Sequence, residues 1–227
     1  VGMVVTSLEQ ATQAAESGVD FLLAKGQEAG GVVGELTTFI LLQQLTANSR
    51  LPVYAWGGIG FNTAAACRVA GAAGVVLDWQ LALMNESPLP PQVKAELEEP
   101  SPPQTFTLPA PEGRELPGFF ADPNRTPSEL PSSLITLSTS NAAEWKAEIA
   151  RQLGNTEDAS QLFCMSQDAA LAAAWHQAAP SVARALKLLN DHVATAIDAC
   201  ISAPLAEGSP LADSHGTRFP IAQAPMT

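Results

Sequence analysis

Two short loops carry the residues whose types and spacing could do chemistry. Lys25-Gly26-Gln27-Glu28-Ala29-Gly30-Gly31 sets an ammonium and a carboxylate in pliable backbone directly after the apolar run VDFLLA. The C-terminal end of a buried strand is where α/β barrels place catalysis. The same pair also suits an ordinary solvated loop, where an ion pair contributes ~0–1 kcal/mol. The second loop, Gly57-Gly58-Ile59-Gly60, lies between the runs LPVYAW and NTAAACRVAGA. Without side chains, its N–H groups can approach a phosphate that also feels the following helix N-terminus. A tight turn in which glycine merely fits is the competing reading.

Other residues offer less. His176, His192 and His215 are far apart and none has a Cys or carboxylate at ligand spacing, so no metal site is expected. Cys67, Cys164 and Cys200 are scattered and odd in number, which suits a reducing cytoplasm better than a disulfide frame. Trp145 and Trp175 fall at helical positions and read as core anchors. The chain carries 11 Lys+Arg against 23 Asp+Glu, a net charge of −12 and a pI near 4.5. That balance argues against nucleic acid or an anionic membrane surface as partner. No apolar run reaches the ~18 residues of a membrane span.

The elements that must position the loops follow from punctuation. Eleven of the 16 Gly precede residue 88, and 12 of the 18 Pro lie between Pro88 and Pro131. Before residue 88, short apolar runs alternate with alanine-rich amphipathic runs. Strands are expected near Val1–Val5, Val19–Ala24, Val53–Ala55 and Gly74–Leu77, each followed by a loop or helix. Near-continuous apolar strands indicate parallel pairing with both faces covered. Four βα units match half of an eight-unit barrel or one open α/β sheet. The proline-rich stretch is expected to be a linker with little regular structure. SLITLSTS then reads as strand-like, and helices are expected between about Asn141 and Ile201, with Trp145 and Ile149 on a buried face. The expected division is 1–87, 88–132, 133–207 and 208–227. Both ends look cut, as in an excerpt from a longer polypeptide.

Three blocks in order, KGQEAGGVVG, LPVYAWGGIG and AGAAGVVLDWQLALMNES, resemble the C-terminal half of the nitronate monooxygenase (2-nitropropane dioxygenase-like) family. The resemblance covers roughly residues 1–87 and implies an FMN-dependent (β/α)8 barrel. It would assign Gly26, Gly30, Gly31, Gly57 and Gly58 to the flavin. The final FPIAQAPMT resembles that family's first strand and would add Ala224, Pro225 and Met226. A family C-terminal half followed by a family start is similar to tandem barrels of giant polyketide or polyunsaturated fatty acid synthases. Other synthase domains would then be partners, and the substrate an acyl chain or a small nitronate.

Two departures from the resemblance bear on activity. The family's loop histidine, its catalytic base, is here Val32, which cannot take a proton. The family's Gly-Thr at the last barrel strand is here Asp78-Trp79, a carboxylate and a bulky indole where a phosphate would lie. With Val32 inert, Lys25 and Glu28 are the catalytic candidates of the loop: the resemblance would set Lys25 near the flavin as a cation stabilising reduced, anionic FMN, with Glu28 orienting it through a hydrogen bond. Two readings stand, a flavin oxidoreductase module or a degenerate barrel serving as structural or docking module; the cut ends and the linker tell against a third, a free-standing nitronate monooxygenase.

Overall fold

In a computed structural model of the chain, the structure describes residues 1–99, 105–122, 124–154, 161–200 and 205–221. The first 76 of these alternate strand and helix: β1 (Gly2–Val5), α1 (Leu8–Glu16), β2 (Phe21–Lys25), α2 (Thr38–Asn48), β3 (Val53–Trp56), α3 (Phe61–Val69) and β4 (Gly74–Val76). The strands pair in the order β1-β2-β3-β4, and every pairing is parallel. Each expected strand is present within a residue or two. Ser7 caps α1 by accepting from the N–H of Gln10, and glycine at a positive φ follows the helix at Gly18. Leu22, Ala24, Ala55, Leu41, Leu42 and Leu45 build the core between sheet and helices.

The described residues of the proline-rich middle carry regular structure, contrary to expectation. Helix α4 (Pro91–Glu98) begins with proline at N1, where no N–H is needed. Strands β5 (Phe106–Ala110) and β6 (Arg114–Phe120) form an antiparallel hairpin joined by one 3₁₀ turn. The prolines are tolerated because of register. Pro109 faces Glu115 and Pro117 faces Thr107, pairs of the same class in the antiparallel alternation. Glu115 turns its own N–H and C=O away from β5, exchanging both with Val33 at 3.0 and 2.8 Å. Pro109 therefore needs no ladder bond. On the far side, β7 (Leu162–Phe163) meets β6 at Phe119 and Phe120, which leaves Pro117 outside that ladder.

Beyond the hairpin, the described residues other than β7 are mainly helical: α5 (Ser133–Ser140), α6 (Ala142–Gln152), α7 (Ala172–Ala178), α8 (Val182–Cys200) and α9 (Pro210–Ser214). The strand-like reading of SLITLSTS fails. Leu134, Leu137 and Ser138 lie at helical spacing and pack toward the hairpin, while Ile135 faces solvent; packing overrides β-branched propensity there. Trp145 and Ile149 are buried as expected, joining Leu116 and Leu162 in a second core. Helix α8 packs on α3. Phe219–Ile221 is not strand, and Ala224, Pro225 and Met226 lie outside the described residues.

Candidate functional site

The C-terminal ends of β2, β3 and β4 meet the segment that follows β7. Three hydrogen bonds close this seam. Trp79 Nε1 donates to the Cys164 carbonyl at 2.9 Å, Ser166 Oγ to the Gln27 carbonyl at 3.1 Å, and the Asp168 N–H to the Glu28 carbonyl at 3.1 Å. A 3₁₀ turn, Gln167–Leu171, therefore sits over the sheet beside the turn Trp79–Leu81.

Lys25, the last residue of β2, ends under this cover, 7% exposed. Its Nζ lies 4.5 Å from the centroid of the Trp56 ring, a cation–π contact. Burial lowers the lysine from its ordinary value, against the attraction of Asp78, Cys164 and Asp168, while Arg114 adds to the lowering. Glu28 does not orient Lys25. Its Oε2 instead accepts from the N–H and the hydroxyl of Thr38, both at 2.9 Å, fixing the start of α2. The Thr38 hydroxyl in turn donates to the Trp56 carbonyl at 3.0 Å. The loop ion pair considered from sequence is replaced by a buried lysine and a helix-capping glutamate.

Asp78 follows β4 and accepts from the Trp56 indole N–H at 3.2 Å, while its own N–H donates to Gln80 Oε1 at 2.7 Å. Asp168 is the residue that sequence reasoning missed. It is 1% exposed, and neither carboxylate oxygen has a hydrogen-bond partner on another residue. Burial, reinforced by Asp78 and Glu28, pushes it up to about 7 against the pull of Lys25. Cys164 is likewise pushed up by burial to about 11, so it is a thiol and no nucleophile at neutral pH. Asp168 lies 143 residues from Lys25 in sequence, and no motif announced it; only the fold brings the two together.

The glycines expected to cradle a flavin are occupied by the chain's own groups. A Cβ at Gly30 would stand 2.5 Å from the Cys164 carbonyl oxygen and 2.6 Å from Trp79 Nε1, and one at Gly31 2.9 Å from Lys25 Nζ. Thr38 fills the space beside Gly26 and Gly57, and Glu28 lies against Gly58. Gly57 and Gly58 have φ of 115° and 64°, so glycine is required by the turn itself. The Gly60 N–H donates to Thr63 Oγ1 at 2.6 Å, and that hydroxyl donates to the Gly58 carbonyl at 2.9 Å. A phosphate at this turn would compete with Thr63 Oγ1 for the Gly60 N–H and would meet the Glu28 side chain packed against Gly58. These residues do not fit the phosphate end of FMN.

The nitronate monooxygenase family model matches residues 1–188. Rv1533 of Mycobacterium tuberculosis is 36% identical over 96 residues, 41% of this chain and 26% of that protein. A 5-hydroxy-7a-methyl-1-oxo-octahydro-1H-indene-4-carboxyl-CoA dehydrogenase of Rhodococcus jostii is 33% identical over 93 residues, 40% of this chain and 26% of that protein. The chain thus spans about a quarter of these curated relatives. Among solved structures, FabK of Thermotoga maritima superposes with a TM-score of 0.68 at 23% identity, over 89% of this chain and 63% of the other. The enoyl reductase domain of MlnA, from the macrolactin cluster of Bacillus amyloliquefaciens, gives 0.53 at 14%, over 87% and 69%. At such identities these two likenesses speak to the fold.

Proposed function

Because the chain belongs to the nitronate monooxygenase family, we propose that it is part of an oxidoreductase module in a polyketide or fatty acid synthase. Within that module, residues 1–87 are the C-terminal half of a (β/α)8 barrel that serves as scaffold or docking element. One observation carries this reading: at the turn that the family resemblance assigns to the flavin phosphate, Thr63 takes the Gly60 N–H, Thr38 fills the space beside Gly57 and Glu28 packs against Gly58. The enoyl reductase neighbour and the carboxyl-CoA substrate in a relative's name support an acyl-processing context.

The family is flavin-dependent in general, so the decisive experiment is to titrate FMN into the purified 227-residue chain and then into a longer protein containing it. The scaffold reading expects no stoichiometric flavin on this barrel in either. Stoichiometric FMN, lost on Gly57→Val in the longer protein, would overturn it.

A second reading keeps catalysis here, and Lys25 favours it. The ammonium is buried at the end of a parallel strand, and none of the described ion pairs includes it. As a catalytic residue it would stabilise negative charge developing on an acyl substrate or a small nitronate. Lys25→Met in the longer protein would then lower turnover at least ~10-fold with folding intact, equivalent to about 1.4 kcal/mol on a barrier. Unchanged turnover would leave the barrel as scaffold.

A further inference from the structure

We propose that Asp168, buried near Lys25 and Asp78 without a partner residue, makes the closure of residues 161–171 over the ends of β2, β3 and β4 a proton-sensitive clasp that loosens as the pH rises. The inference concerns closure of this segment and is independent of whether a flavin binds.

The seam is closed by three hydrogen bonds, from Trp79, Ser166 and the Asp168 N–H. None of them uses the Asp168 carboxyl group. That group is nonetheless carried into the interior, with no donor from another residue on either oxygen; the hydrogen bond that pulls its proton affinity down comes from its own N–H. The charged groups that reach it are Asp78 after β4 and Glu28 after β2, both repulsive, and Lys25 on β2, which is attractive. Lys25 is itself shared with Asp78 and Cys164 and opposed by Arg114 on β6. One ammonium therefore faces several acidic groups. An unpaired carboxylate in such a place costs far more than a carboxylic acid, so the closed state binds a proton that the open state gives up.

The direction follows from linkage. In the closed state Asp168 holds its proton up to about pH 7, whereas in the open, hydrated state it returns toward the ordinary 3.8. Closure is favoured most below the lower value. Between the two values the ratio of open to closed rises up to ~10-fold per pH unit, and above about 7 it levels off. Lys25 acts in the other sense: burial lowers it, so losing its proton favours closure at higher pH.

The test is hydrogen exchange of peptides spanning 161–171 in the whole chain, at about pH 5 and about pH 7, corrected for intrinsic exchange. Protection is expected to fall at least ~10-fold across that interval, and Asp168→Asn is expected to hold it within about twofold. Equal protection at both pH values, or the same loss in Asp168→Asn, would overturn the clasp. Should Asp168→Asn fail to fold, carbon NMR of the wild-type Asp168 carboxyl decides. Titration near neutrality supports the clasp, and titration in the ordinary carboxylate range refutes it.

Discussion

The parallel βα region and the hairpin-helix region that follows are built from the same kinds of residue by different rules. In the first, each strand is apolar but for Lys25 at the end of β2 and its partner is one helix away, so β1 to β4 pair in chain order. In the second, β6 lies between β5 beside it and β7, more than forty residues further on. Local texture governs the first region; the second depends on distant partners.

The largest effect that could break this contrast is Trp145→Ala. The indole is 2% exposed in the core under β6, and its truncation should cost about 3–5 kcal/mol in denaturant unfolding. Leu22→Ala, at 0% exposure in the parallel region, should cost about 2–5 kcal/mol. If both variants lower one common transition, the regions are a single cooperative unit; if each lowers a separate transition, the contrast is thermodynamic as well as architectural.

Gly57→Ala tests the turn itself. At a φ of 115°, with Thr38 Oγ1 2.7 Å from where the Cβ would stand, it should destabilise by about 1–3 kcal/mol. A cost near zero would free this glycine for a role outside packing. Smallest is Asn141→Ala, which removes the side-chain cap on the Glu144 N–H and should cost ~1 kcal/mol.

How much of this was legible in the sequence follows from the same contrast. The parallel strands and their loops were readable because period and punctuation are local. The hairpin was not, because proline content was read without register: Pro109 and Pro117 are compatible with strands only because Glu115 turns toward Val33 and β7 stops short. Helix α5 was missed because its burial against the hairpin outweighs the β-branched residues Ile135 and Thr136. At the site, Lys25 and Glu28 were visible as a pair, but Thr38, which captures Glu28, became its partner only on folding. Asp168 carried no local signal, since its environment is assembled from β2, the loop after it and the end of β4.

The four tryptophans divide between these settings in a way that gives the chain an optical signature. Trp145 and Trp175 are buried in apolar cores, with no partner on either indole nitrogen. Trp56 has an ammonium over its ring and a carboxylate on its N–H. Trp79 spans the seam to Cys164. Indole emission shifts with the electric field along the ring, so the core pair should give steady blue light at any pH where the fold persists. Trp56 should change colour with the protonation of its neighbours, and Trp79 should redden when the seam admits water. Replacing Trp145 and Trp175 by Phe would leave a fluorophore pair that reads the charged interior directly.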